Sequence, residues 1–512
     1  MHIATQPKMD EKDAFCRLQQ KFAEEYQAVF DDNLAAKTVV VIPSLTLDAE
    51  ILSKIDAHLH YEERLLCLLL LLRMPRTHII YVTGIPVDNI IIDYYLHLLN
   101  GITGYHARQR IHFFSCYDSS EKSLTEKILS RPRLIQRIKN AIPTGHSAHL
   151  ACFNVTEHER KLAVQLGLPV YGCDPDLLFW GTKSGSREIF REAGVEMPAG
   201  YENLRNEEDI IKALAYLYKQ NKEIKKAIIK MNDGFSGDGN AIFEYKNILD
   251  NDAVEEQIHR QLPFQLKIVA KDLSYRKFMK KFESMGGIVE TFLEGIQKAS
   301  PSVQCRINPV GKAEIISTHD QWMGGPDEQV FLGGNFPADH AYSVEIGELA
   351  KKITEILKQK GVLGRFAIDF MSVFENGKWM HYAIEINLRK GGTTYPYLML
   401  QFLTDGNYDA STGKYILPNG DEKYYLFTDN LQDERLKGLT PLDLMDIVIF
   451  NGLHYDGTKQ EGVMFHIIGA LSQYGKLGLI CIASSRERAE FFYNKTIEVL
   501  FAECSQNPFK VN

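Results

Sequence analysis

Along the first third of the chain, short apolar runs alternate with stretches in which apolar residues recur every three or four positions. Phe15, Leu18, Phe22, Tyr26, Val29 and Phe30 share one face of a helix over 12–30. Runs at 38–44, 77–84, 110–116 and 149–155 predict strands, and helices are predicted at 49–74, 88–99, 121–140 and 156–166. Strands apolar on both faces, alternating with helices, predict a parallel sheet covered on both sides, an α/β unit over about 32–175. After 180 the texture changes. Helices at 184–193 and 206–220 are followed by strand pairs at 226–231 with 240–245, 302–309 with 313–318, and 365–373 with 378–387. Antiparallel pairs joined by short Gly-containing turns predict an α+β region. A polar stretch, 404–424, carries the turn signals Asp405-Gly406 and Asn419-Gly420, and the tail from 430 reads helix, strand, strand, helix. The resulting domain expectation is 1–178 (with an N-terminal helix in 1–31), 179–430 and 431–512.

Composition narrows the function classes. The net charge of −8 over 512 residues lacks the basic footprint of a nucleic-acid binder. The longest apolar run, Leu65 to Leu72, is far short of the ~20 residues of a membrane helix and reads as a buried helix. The first residues contain no apolar core of signal type. The eight cysteines are scattered without a CxxC pair, which fits a reducing cytoplasm. No close His pairing of HExxH type and no G-x-S-x-G elbow is present, so zinc and Ser-hydrolase chemistry are not expected.

Four segments could carry chemistry. In 227–245 a strand delivers Lys230 to a loop with Gly234, Ser236, Gly237 and Gly239, suited to wrapping an anion; by itself it could equally be a hairpin loop. Its G-x-x-G-x-G order is not the dinucleotide fingerprint. In 364–392, Asp369 lies mid-strand, and Glu385, Asn387 and Arg389 alternate on one face of the next strand. Two carboxylates and an amide suit Mg²⁺, unless they are surface acids. The pairing requires a three-residue turn, Glu375-Asn376-Gly377; a two-residue turn would put the acids on opposite faces. Lys183 precedes a helix ending at Gly194, on its face an ordinary capped helix. In 286–295, apolar Phe292 and Leu293 mix with Glu290 and Glu294, either an adenine slot or a core strand with solvated acids. Gln304, Arg306, His319 and Asp320, on or beside a predicted hairpin, are candidate substrate contacts or structural charges.

In this order the segments resemble the ATP-grasp superfamily: a first lysine (Lys183) before AGVEMP, a second (Lys230) opening a glycine loop, an acidic hinge strand (Glu290), and a D…E-x-N-x-R set. The phrases STHDQ (317–321), IEINLRKGGTTYP (384–396) and GVMFHIIGALSQYGKLG (462–478) are similar to carboxylate–amine ligases of the pheganomycin peptide-ligase type. The resemblance implies an ATP-grasp core preceded by a Rossmann-like pre-ATP-grasp domain. It also implies an enzyme that joins a small-molecule or peptide acid to an amine through an acyl phosphate. ATP would be held by Lys183, Lys230, the glycine loop, Glu290, Phe292 and Glu294 (with Gln297 a rival for the ribose), and Mg²⁺ by Asp369, Glu385 and Asn387. Lys230 and Arg389 would be catalytic, and Arg306, His319 and Asp320 would touch substrate. Acid–thiol ligation, small-molecule phosphorylation and a non-catalytic nucleotide module are the competing readings; a homo-oligomer is compatible with all of them.

Overall fold

The N-terminal sheet is parallel throughout. Strands β1 (Lys37–Ile42), β2 (Thr77–Thr83), β3 (Ile111–Ser115) and β4 (Ser147–Cys152) stand in the order β3-β2-β1-β4. A computed structural model describes residues 10–30, 32–47, 52–53, 55–234, 239–246, 248–249, 253–270, 273–324 and 330–505. Successive residues of β1 feed different cores. Val40 and Ile42 pack with Ile128, Leu134 and Leu162, whereas Val39 and Val41 pack with Leu65, Leu69 and Tyr95. That division is why β1 is buried along its whole length.

The helix predicted over 49–74 is shorter, a 3₁₀ helix at His58–Arg73; part of the expected segment lies outside the described residues. Leu65, Leu66, Leu68, Leu69, Leu70 and Leu72 are buried because β2, helix Asn89–His97 and helix Thr394–Thr404 pack around this helix. The single helix expected over 121–140 is two, Leu124–Leu129 and Pro132–Asn140. Pro132 has no amide to continue the first helix and sits instead at the start of the second.

A five-stranded sheet follows, with order β5-β9-β6-β7-β8: β5 (Gly200–Leu204), β6 (Lys226–Met231), β7 (Asn240–Glu244), β8 (Lys267–Ile268) and β9 (Gly287–Thr291). Helices Glu207–Gln220, Val254–Gln265 and Tyr275–Met285 bury one face against Ala227, Ile229 and Val289. The opposite face carries Lys230 and Glu290.

The largest sheet contains β10 (Lys298–Ala299), β11 (Pro301–Ile307), β12 (Ala313–Gly324), β13 (Val330–Phe336), β14 (Gly364–Glu375) and β15 (Lys378–Asn387). A separate two-stranded hairpin, β16 (Asn407–Asp409) and β17 (Lys414–Ile416), occupies the stretch read as loop. Strand β18 (Tyr424–Gln432) crosses the expected boundary at 430/431. It joins β13 to β20 (Lys476–Ala483), which pairs with β19 (Gly462–His466), so the tail's strands continue the large sheet. Helix Ser343–Gln359 covers Val303, Cys305, Phe366 and Ile368 on one face, leaving Asp369 on the other. Among the described residues, no helix is long and apolar enough to cross a membrane.

Candidate active site

The polar faces of the two antiparallel sheets and the loops above the N-terminal sheet enclose a cavity of about 420 Å³. Asp369 and Glu385 stand directly opposite each other on β14 and β15 within it. They do so by a different route from the one expected. The hairpin turn is the two-residue Asn376-Gly377, both with positive φ (51° and 80°), and Glu375 pairs with Lys378. That turn alone would separate the acids. A β-bulge between Asp369 and Phe370 corrects the register: Phe370 pairs with Ala383, Asp369 with Glu385, and Ile384 is the extra residue. The bulge is anchored from outside, because the Ala383 amide donates to the Glu196 carbonyl (2.8 Å) and the Ile386 amide to the Ser186 hydroxyl (3.1 Å).

Charges here are matched. Burial pushes the Asp369 carboxyl up to about 6, helped by the neighbouring Glu385 charge. Burial acts on Glu385 in the same sense, but the Lys183 ammonium, with which it forms an ion pair, reverses it and holds the group below the ordinary range. Asn387 donates to Asp369 Oδ2 (2.9 Å) and Gln321 to Oδ1 (3.1 Å). Among the described residues no group of three His, Cys, Asp or Glu could hold a metal ion. The donor set of Asp369, Glu385 and the Asn387 amide nevertheless fits Mg²⁺, which needs few carboxylates when phosphate oxygens complete its shell. Two facing half-buried carboxylates also give a cation something to neutralise. Arg389 lines the same cavity, its acidity increased by burial and partly restored by Glu385 and Asp369.

On the facing sheet, Lys230 Nζ lies 2.6 Å from Glu290 Oε1, and Arg187 Nη1 lies 3.0 Å from Glu290 Oε2. Glu290, expected at an adenine hinge, is thus the shared counter-ion of two cations. Phe292 lines the cavity with Lys226 and Lys298 each 5.6 Å from its ring centre. Gly234 and Gly239 also line it, while Ser236 and Gly237 lie outside the described residues. Lys183 opens its helix where Asn232 accepts from the Lys183 amide through its carbonyl (3.2 Å) and from the Ser184 amide through its side chain (3.0 Å). Glu294 does not line the cavity; it is exposed and 3.5 Å from Lys225.

The expected substrate contacts are placed elsewhere. Arg306 is bound to Glu314 (Nε–Oε2 2.9 Å). His319 is fully buried, with Nε2 2.6 Å from the Tyr425 hydroxyl. Asp320 accepts from Tyr342 (2.7 Å) and the Asp339 amide (2.8 Å). Gln304 donates to the Thr393 carbonyl. None of the four lines the cavity. Among the residues that do line it, Arg64, Asp429 and Asn430 are not singled out by periodicity or motif, and Gln321 stands out only within STHDQ.

Residues 177–274 and 272–411 match the model of the IQCH-like ATP-grasp family, and 443–496 match the PGM1 C-terminal domain. L-propargylglycine–L-glutamate ligase of Streptantibioticus cattleyicolor is 27% identical over 88% of this chain and 92% of its own length. IQ motif-containing protein H of Danio rerio is 21% identical over 85% of the chain, which spans 45% of that protein. The biotin carboxylase–β,γ-ATP complex from Campylobacter jejuni superposes with a TM-score of 0.54 at 13% identity, covering 93% of this chain and 96% of that one; the likeness is one of fold. With its parallel N-terminal sheet, its two antiparallel sheets closing on one charged cavity, and these matches, the chain has an ATP-grasp fold, in which residues 177–411 match an ATP-grasp family.

Proposed function

We propose that the protein is an ATP-dependent carboxylate–amine ligase acting on small-molecule or peptide substrates. The observation that carries this reading is the convergence of Lys183, Lys230, Asp369, Glu385, Asn387 and Arg389 on one cavity. The ligase named among its relatives supports the reaction class.

In the resting site each lysine is held by a carboxylate. Asp369, Glu385 and Asn387 would hold Mg²⁺, which would offset phosphate charge when bound. Lys183 and Lys230 face the triphosphate, and Phe292 offers a flat wall to the base. The acid's oxygen attacks the γ-phosphorus, and ADP leaves. Arg389 stabilises the charge spreading over the transferring group, the main resource of phosphoryl transfer. The amine then attacks the acyl carbon, loses its proton, and phosphate departs.

A matrix of acids and amines, with thiols as alternative acceptors, assayed for ADP and phosphate, tests this. Product formation with at least one pair, lost by roughly 10³-fold in Glu385→Ala with folding intact, is expected. Release of AMP and pyrophosphate, or turnover only with thiols, overturns it.

A further inference from the structure

One end of the cavity is built by the N-terminal unit, the loop after β15 and β18. Its lining there is Tyr61, Arg64, Phe153, Gly391, Gly392 and Asp429, joined by Asn430. This end holds one cation and one anion, and they belong to each other: Arg64 Nη2 lies 2.7 Å from Asp429 Oδ2, across 365 positions of sequence. Resting on the ligase reading above, we propose that Arg64 and Asp429 are the specificity-determining clamp for a zwitterionic substrate. The class is an α-amino acid, whose carboxylate pairs with Arg64 and whose ammonium pairs with Asp429.

Three features carry the assignment. The first is rigidity: the Arg64 guanidinium lies 3.8 Å over the Tyr61 ring, whose hydroxyl accepts from Lys476 (3.0 Å), so the cation is held from behind. The second is room. A Cβ at Gly391 would meet nothing within 4 Å, whereas at Gly392 the Phe331 ring (2.9 Å) leaves space only for bare backbone beside Asp429. Bare backbone therefore leads from Arg389 to the pair, and Arg64 lies within electrostatic reach of Arg389. The third is charge balance. A lone carboxylate would face Asp429 and a lone amine would face Arg64, whereas a ligand with both charges satisfies each at once. Tyr61, Phe153 and Phe331 leave apolar walls for the side chain.

The test is calorimetric binding to the full-length protein with Mg²⁺ and a non-hydrolysable ATP analogue present. The probes are the twenty proteinogenic L-amino acids and, for each binder, its carboxamide and its des-amino acid. At least one amino acid is expected to bind, with carboxamide and des-amino forms weaker by roughly 30-fold or more. Arg64→Gln should abolish discrimination against the carboxamide, and Asp429→Asn discrimination against the des-amino acid, each with analogue binding within about twofold of wild type. The wild-type comparison stands even where a variant does not fold. Analogue binding without any amino acid binding, or carboxamides binding as tightly as acids, overturns the clamp alone. Failure of the analogue to bind overturns the ligase reading as well.

Discussion

The two ends of the cavity are built on opposite principles. At the end proposed for phosphate the charges ride on strands of two sheets and on the helix that Lys183 opens, and they are already paired: Lys230 and Arg187 share Glu290, and Lys183 holds Glu385. At the acceptor end a single pair, Arg64 with Asp429, is assembled from distant parts of the chain. A dense array of fixed charge suits a triphosphate, whose demands are the same for every member of a superfamily. A sparse, domain-spanning pair suits the partner that varies. If this contrast is right, damage at the first end should stop all turnover, and damage at the second should change only which acceptor is used.

The largest effect is expected at Asp369. Asp369→Ala should reduce ADP formation by roughly 10³-fold with every acid–amine pair, because the carboxylate serves phosphate chemistry rather than one substrate. A loss confined to some pairs would move Asp369 to the acceptor end and break the comparison. Next comes Arg187, 3% exposed, which donates to Glu290, to Glu202 (3.2 Å) and to the Pro198 carbonyl (2.9 Å). Arg187→Leu takes one cation from buried Glu290 and one from half-buried Glu202, which keep Lys230 and Arg191 as partners, and should cost about 1.5–3 kcal/mol in denaturant unfolding. Glu290 would then be left to Lys230 alone, so the KM for ATP should rise in the same variant. An unchanged KM would show that Arg187 supports the fold without positioning the lysine.

How far the sequence reached follows the same division. The parallel sheet was legible because its strands are apolar on both faces, and Lys183, Lys230, Asp369, Glu385, Asn387 and Arg389 were legible because each sits in a short ordered motif. The register that joins Asp369 to Glu385 was not. It depends on an extra residue, Ile384, that leaves no mark in the hydrophobic alternation, and the two-residue turn taken alone argues against the pairing. His319 and Asp320 look like chemistry in sequence, yet neither lines the cavity: Tyr425 holds Nε2 of His319, and Tyr342 donates to Asp320. Nothing in the apolar run from Leu65 to Leu72 singles out the neighbouring Arg64, which meets the cavity through packing against β18.

A comparable effect separates site charges from buried charges that serve the scaffold. Burial pushes the Glu62 carboxyl up to about 7, against the Gly84 amide (2.6 Å) and Lys127, which favour ionisation. The folded state therefore binds this proton more tightly than the unfolded chain. The penalty is absent below the ordinary carboxylate range, grows as pH rises from there to about 7, and is constant above. Glu62→Gln should stabilise the protein at pH 8 relative to pH 4 by on the order of 3 kcal/mol, measured by denaturant unfolding at both values. An equal effect at the two pH values would mean that the folded carboxyl ionises in the ordinary range.

The smallest expected effect falls at the rim, where the phosphate end gives way to solvent. The Glu294 side chain is 47% exposed and its partner Lys225 75% exposed, so their pair contributes at most about 1 kcal/mol. Glu294→Gln should leave the melting temperature unchanged. A carboxylate accepting from a ribose hydroxyl is worth about 1.5–3 kcal/mol, so a ribose contact would raise the KM for ATP by about tenfold or more in a variant of normal stability. The same measurement on Gln297→Ala decides between the two rim positions. If neither variant moves the KM, the nucleotide is held by the lysines and Phe292 alone. The dense end of the cavity then stops at the aromatic wall, which makes its contrast with the sparse acceptor end sharper still.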